Sequence, residues 1–275
     1  MSRQTEQTRR ITVPEIAGRK GGQKIVALTA YTTPMAALLD PLVDLLLVGD
    51  SLGMVVHGLP STQGVTLEMM ILHGQAVMRG SSHALVAVDL PFGTYEASPE
   101  QAFASASRLI AETGCQAVKL ETHKGVARTI AFLVDRGIPV IGHVGLRPQA
   151  SNADGGFKAK GRTEAERQQV LDDATAADLA GAFALVVEGV AADLADTITR
   201  NVNAPTIGIG ASAQCDGQIL VTEDMLGLFD WTPKFVRRYA NLKETIQQAT
   251  TTYADDIRKG TFPADEETYR LGTKA

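Results

Sequence analysis

Leu85-Val86-Ala87-Val88-Asp89 is a run of β-branched and small apolar residues that stops at a carboxylate. Four more segments share the pattern: Leu45-Leu46-Leu47-Val48-Gly49-Asp50, Ala117-Val118-Lys119-Leu120-Glu121, Pro139-Val140-Ile141-Gly142-His143 and Ala184-Leu185-Val186-Val187-Glu188. Short segments that are apolar at nearly every position read as strands buried on both faces, the condition of a parallel sheet. An ionisable group at the end of each gathers charge at one end of that sheet. Such burial is costly unless something binds there.

Working outward, strands are expected over 25–30, 45–49, 84–89, 116–121, 139–143, 184–188, 205–209 and 219–221, with helical segments between most of them. Residues 66–79 place Leu67, Met70, Ile71 and Val77 on one helical face. Ser98-Pro99-Glu100 supplies a cap and a first-turn proline for a helix over 99–112, and Thr163-Glu164-Ala165-Glu166 resembles a capping box opening 163–181. Eight strands alternating with helices predict an α/β fold, a single (β/α)8 TIM barrel spanning 1–275. It carries a polar, flexible N-terminal arm over 1–10 and a helical tail over 234–275, its helix running from Pro233 to about Lys259. Long loops follow the second and fifth strands, at 51–65 and 144–162. Both would lie at the catalytic face, where long loops act as lids or binding loops. The second holds Gly155-Gly156-Phe157-Lys158-Ala159-Lys160-Gly161-Arg162, which reads equally as a hinged lid or a solvated surface loop.

Apolar residues make up 44% of the 275, and the formal net charge is −5. No long basic stretch is present, so nucleic acid and anionic membrane are not expected partners. No apolar run reaches the about 18 residues needed to span a bilayer. The N-terminus lacks the apolar core of a secretory signal. Cys115 and Cys215 form no CxxC and read as inert thiols in a reducing cytoplasm, the expected location.

Asp50, Asp89 and Glu121 end three successive strands. Neighbouring strands lie about 4.8 Å apart, so these carboxylates can converge and would then repel one another. A divalent cation relieves that repulsion, and an oxygen-only donor set favours Mg2+. Taken singly, each carboxylate could instead cap a helix or join an ion pair. Lys119 shares the face of Glu121, two residues away. It would compensate the carboxylates, form a structural pair with Glu121, or act as a Schiff-base nucleophile. Glu188 reads as a general base with a raised pKa, or equally as a polar plug bonded to loop amides. His143 either donates to a substrate oxygen or bonds the backbone at its strand end. Gly208-Ile209-Gly210-Ala211-Ser212 is a weak phosphate-loop candidate and an ordinary tight turn.

Val48-Gly49-Asp50-Ser51-Leu52-Gly53-Met54-Val55, Ala87-Val88-Asp89-Leu90-Pro91-Phe92, Ala117–Glu121, Gly142-His143-Val144-Gly145-Leu146-Arg147-Pro148-Gln149, Gly155–Lys158, Ile207–Ala211 and Asp216-Gly217-Gln218-Ile219-Leu220-Val221 resemble, in order, the ketopantoate hydroxymethyltransferase family. The resemblance covers roughly residues 25–245. It implies a barrel of the phosphoenolpyruvate/pyruvate-binding type, usually a homodecamer. It implies transfer of a hydroxymethyl group from 5,10-methylenetetrahydrofolate to 3-methyl-2-oxobutanoate, through a Mg-stabilised enolate, giving ketopantoate on the route to pantothenate and coenzyme A. Carried over by motif, it implies metal contact from Asp50, Asp89 and Glu121. It also implies substrate contact from Asp50, Ser51, Asp89 and Lys119, and proton abstraction by Glu188. The chain departs from the family pattern at Tyr31-Thr32, across His57–Thr66, at Thr122-His123 and at Ser212. The alternative reading is a Mg-dependent 2-oxo-acid lyase or mutase on the same barrel, although neither the reactive cysteine nor the phosphate site usual there is apparent. A catalytically dead barrel serving as a binding protein is a third.

Overall fold

The computed structural model of the chain describes residues 9–269 with the exception of Lys124. Of the expected arm over 1–10, residues 1–8 lie outside that range. Arg10 is anchored, its guanidinium donating to Ser81 Oγ at 2.8 Å and to Ala84 O at 2.6 Å. The chain divides into two compact units, one running to Thr222 and one from Glu223.

The first unit contains eight strands: β1 (Ile25–Thr29), β2 (Leu45–Val48), β3 (Leu85–Asp89), β4 (Ala117–Glu121), β5 (Val140–Gly145), β6 (Ala184–Glu188), β7 (Thr206–Ile209) and β8 (Gly217–Leu220). Each pairs parallel with its neighbour in chain order, and β8 returns to β1 with Ile25 opposite Gly217, closing the expected (β/α)8 barrel. The intervening helices begin where the sequence supplies caps. Thr66, Ser98 and Thr163 accept from the backbone N–H of Met69, Gln101 and Glu166, opening Leu67–Gly80, Pro99–Thr113 and Glu164–Leu179.

Side-chain alternation divides the apolar residues of this unit between two cores. Leu46, Val48, Val86, Val88, Val118 and Leu120 pack outward with the helices, while Leu45, Leu47, Leu85, Ala87, Ala117, Ile141, Ala184 and Val186 fill the barrel. The inward row continues past the last apolar position. It reaches Asp89 on β3, Lys119 and Glu121 on β4, His143 on β5 and Glu188 on β6. Register sets them side by side, with Asp89 opposite Lys119, Glu121 opposite His143 and Gly145 opposite Glu188.

Two strands differ from expectation. β5 runs on to Gly145, whose φ is +97° and where an added Cβ would meet Glu188 O at 2.2 Å. The apolar run ends before this glycine, but only a glycine permits so close an approach of β6. β8 starts at Gly217, because its N-terminal half is held by backbone pairing with β1 rather than by β-forming side chains. The long loops contain short helical turns, Leu52–Val55 and Thr62–Gly64 in the first, Pro148–Ala150 and Ser151–Asp154 in the second.

In the second unit the tail helix is Leu242–Lys259, beginning later than the expected Pro233. Backbone N–H groups of Tyr239, Leu242 and Lys243 donate to the carbonyls of Met225, Leu226 and Gly227, which holds the preceding segment in a non-helical path. Gly260, at φ +71°, ends the helix. Among the described residues no helix is long and apolar enough to cross a membrane.

Candidate active site

The polar end of the inward row is a buried cluster. Lys119 Nζ lies 2.8 Å from Asp89 Oδ1, with 8% and 2% of the side chains exposed. The contact is an ion pair by distance, yet its angles leave Asp89 Oδ1 without a hydrogen bond among the described residues. Asp89 Oδ2 accepts from the backbone N–H of Asp50 at 3.0 Å. Asp50 belongs to the outward parity of β2 and follows the strand; the turn at Gly49 brings it to Asp89. A Cβ on Gly49 would stand 2.9 Å from Ser51 Oγ and 3.6 Å from Asp89 Oδ2, so the turn depends on the missing side chain. Ser51 Oγ shares a 2.8 Å hydrogen bond with Tyr31 Oη.

The electrostatics follow from burial. Asp50 is pushed up to about 7, first by loss of solvent and then by Asp89, against the pull of Lys119 and a hydrogen bond from Gln149. Asp89 is raised by burial, opposed by Lys119. Burial also lifts Glu121 to about 8, against the hydrogen bond from Gln149 N–H. Burial alone would lower Lys119, but the charges of Asp89 and Asp50 raise it, so the amine is held as ammonium. That disfavours the Schiff-base reading, since an ammonium is no nucleophile.

Glu188 is likewise raised to about 8 by burial, Lys119 opposing and Asp50 and Asp89 assisting. It keeps 19% of its side chain exposed, more than any other member of the row. His143 is depressed to about 3 by burial and then by Lys119, so its ring is neutral. Its Nε2 lies 2.6 Å from Leu146 O and therefore carries the proton, donated to the backbone. Its Nδ1 is left as a buried acceptor with no hydrogen-bond partner among the described residues.

Two residues of this cluster were not evident from sequence. Gln149 donates to Asp50 Oδ2 through its side chain at 2.8 Å and to Glu121 Oε1 through its backbone N–H at 2.9 Å. Tyr95 Oη donates to Gln149 Oε1 at 2.6 Å. Gln149 closes the Gly142–Gln149 motif; Tyr95 carried no signal, because it reaches the site from an irregular loop. At the end of the Gly208–Ser212 segment, Ser212 Oγ accepts from Gln214 N–H and Ser212 O from the Gln218 amide.

A hard cation suits the donor chemistry. The donors are oxygens, three carboxylates carry pKa values raised by one another or by burial, and one buried carboxylate oxygen lacks a hydrogen bond. Among the described residues no group of three or more His, Cys, Asp or Glu side chains is disposed to hold a metal ion, so the expected convergence of Asp50, Asp89 and Glu121 on one cation is not formed by these side chains alone. Asp50 and Asp89 adjoin directly, and Glu121 is joined to Asp50 through Gln149. Such a set would be completed by substrate and water oxygens.

The family model described as ketopantoate hydroxymethyltransferase matches residues 10–265. Relatives named 3-methyl-2-oxobutanoate hydroxymethyltransferase include one from Maricaulis maris (strain MCS10), 65% identical over 98% of this chain and 97% of its own. Another from Rhodospirillum rubrum is 61% identical over 96% of both. Among solved structures, a phosphonopyruvate hydrolase complexed with oxalate and Mg++ superposes with TM-score 0.59 at 13% identity, covering 94% of this chain and 92% of its own. A 2,3-dimethylmalate lyase of the PEP mutase/isocitrate lyase superfamily gives 0.58 at 17%, covering 90% and 87%. At such identities these two speak for the fold. Sequence similarity along nearly the whole length, on a barrel whose charged residues meet at one mouth, places the chain in the ketopantoate hydroxymethyltransferase family, a family of transferases.

Proposed function

We propose that this enzyme transfers a hydroxymethyl group from 5,10-methylenetetrahydrofolate to C3 of 3-methyl-2-oxobutanoate, giving 2-dehydropantoate for pantothenate and coenzyme A synthesis. Family membership supports the substrate pair. The observation that carries the chemistry is the inward row of Asp89, Lys119, Glu121 and Glu188 at one mouth. The net change is balanced: the C3–H bond breaks and a bond forms from C3 to the one-carbon unit. Both bonds from that unit to the folate nitrogens break, water supplies the hydroxyl group, and the C3 proton and the remaining water proton end on the two nitrogens of tetrahydrofolate.

Asp50, Asp89 and Glu121 would hold Mg2+, which when bound stabilises negative charge developing on the keto oxygen. Lys119 holds its ammunition of positive charge beside Asp89, where it attracts the carboxylate of the oxo acid. Ser51, fixed by Tyr31, offers a hydroxyl to the same substrate. Glu188 takes the C3 proton. Its raised pKa matches a base working near neutrality, and its partial exposure leaves it reachable. His143 stays neutral and presents Nδ1 as an acceptor for a substrate or product hydroxyl. The loops at 51–65 and 144–162 shield the carbanionic carbon from stray protons.

The deciding experiment is exchange of the C3 proton of 3-methyl-2-oxobutanoate into deuterium oxide, followed by NMR, with and without Mg2+ and folate. Metal-dependent exchange without folate, and product only with folate, is the expected result. No product with methylenetetrahydrofolate, together with cleavage of a 3-hydroxy acid, would overturn it and favour a lyase.

A further inference from the structure

We infer that Gln149 is the positioning residue of this site, an amide whose fixed orientation sets which oxygens of Asp50 and Glu121 face the ligand. Resting on the function proposed above, the inference gives a role to the residue that closes the Gly142–Gln149 motif.

All polar groups of Gln149 are engaged. Its backbone N–H donates to Glu121 Oε1 at 2.9 Å, and its side-chain Nε2 donates both to Asp50 Oδ2 at 2.8 Å and to Leu90 O at 2.9 Å. Its Oε1 accepts from Tyr95 Oη at 2.6 Å, and its backbone carbonyl accepts from Gln63 Nε2 at 2.8 Å. The residue is 4% exposed.

The direction of every bond is determinate. The backbone N–H of Glu121 donates to Tyr95 Oη at 3.2 Å, so the tyrosine receives there and spends its own proton on Gln149 Oε1. An amide whose oxygen is bound to a hydroxyl donor must turn its NH2 the other way, toward Asp50 and the Leu90 carbonyl. A flipped amide would set its oxygen against two acceptors and lose both Nε2 bonds, to Asp50 and to Leu90. The Leu90 carbonyl can only accept, so it fixes the orientation of the amide, and the proton of Tyr95 Oη, donated to Gln149 Oε1, is consistent with it.

The consequence is preorganisation. One oxygen of Asp50 and one of Glu121 are each committed to a Gln149 donor, so neither carboxylate is free to rotate, and the uncommitted oxygens point in set directions. A cation or oxo acid then binds without first ordering these groups. The same residue joins the two long loops. Gln63, within the 57–66 stretch that departs from the family pattern, grips the Gln149 carbonyl and accepts from Asn152 Nδ2 at 2.8 Å. Ordering of the loops and orientation of the carboxylates thus share one residue.

Gln149→Met keeps the volume and removes the amide, while its backbone N–H remains. The test compares full-length wild type, Gln149→Met and Tyr95→Phe, each first checked by thermal melting. Binding of Mn2+ to the metal-stripped protein is read by the loss of the free-ion EPR signal, and kcat and KM are measured with 3-methyl-2-oxobutanoate. Expected are at least tenfold weaker Mn2+ binding and a fall in kcat of tenfold or more for Gln149→Met, with a smaller fall in both for Tyr95→Phe. A folded Gln149→Met protein with wild-type Mn2+ affinity and wild-type kcat would overturn the inference and leave the proposed reaction standing. Should Gln149→Met not fold, wild-type values for Tyr95→Phe would overturn it equally. Wild type that turns over while binding no Mn2+ would instead remove the metal from the proposed function, and kcat of the two variants would then decide the inference.

Discussion

His143 Nε2 lies 3.7 Å from Glu188 Oε2, yet the two do not form a salt bridge. The imidazole is neutral, its pKa depressed to about 3, and its one N–H is given to Leu146 O. Glu188 is therefore without a cationic neighbour from β5, and burial is free to lift it to about 8. Burial keeps the carboxylate basic enough to take a proton from carbon, and the neutral histidine adds no positive charge against it.

Glu188→Gln removes the base without altering shape. We expect a loss of about 10²–10⁴ in the C3 exchange rate, with Mn2+ binding retained. The working form of Glu188 is the carboxylate, so activity should fall as pH drops below its pKa. At saturating Mg2+, where the cation has replaced the protons of Asp50 and Glu121, the acid limb of kcat/KM should follow Glu188 at or below about 8. Near-normal exchange by the variant, measured by NMR, would remove Glu188 from this role.

Asp50, Glu121 and Glu188 have folded pKa values of about 7, about 8 and about 8, all above their unfolded values. Between pH 5 and 8 the folded state therefore holds more protons than the unfolded one, and the stability from these groups declines as pH rises. A cation reverses this by replacing the protons. Thermal melts in chelator should show Tm falling from pH 5 to 8, and Mg2+ should raise Tm more at pH 8 than at pH 5. Asp89→Asn should reduce the Mg2+ increment; equal increments in variant and wild type would contradict metal binding here.

Lys119→Ala withdraws the charge 2.8 Å from Asp89. Loss of one charge-assisted contact is worth about 1.5–3 kcal/mol, so binding of the oxo acid should weaken by roughly 10–100-fold. Titration calorimetry checks this. Borohydride treatment of wild type with the oxo acid should add no mass, because the lysine is held charged.

Gly145→Ala places a Cβ 2.2 Å from Glu188 O at a residue whose φ is +97°. Backbone strain and overlap together should cost at least about 2 kcal/mol, measured by denaturant unfolding, and should lower the exchange rate by displacing the base. A stable, fully active variant would show that β5 and β6 can separate without consequence.

Much of the barrel is written in short-range pattern. The runs ending at Asp89, Glu121 and Glu188 identify strands, and their period of two puts Lys119 on the face of Glu121. Thr66, Ser98 and Thr163 mark helix starts in the same local way. The pattern failed where partners distant in sequence decide. β8 opens on Gly217 because β1 lies alongside, and the tail helix waits until Leu242 because the preceding N–H groups find carbonyls at 225–227.

Sequence by itself determined the strands, their order and the inward row of charge, because each rests on neighbours a few residues apart. Only the tertiary structure decided that Asp50, of the wrong parity, turns at Gly49 to meet Asp89, and that Gln149 and Tyr95 orient the carboxylates. Those contacts join loops separated by 39 to 99 positions, and no local periodicity encodes where such loops meet once the cylinder has closed.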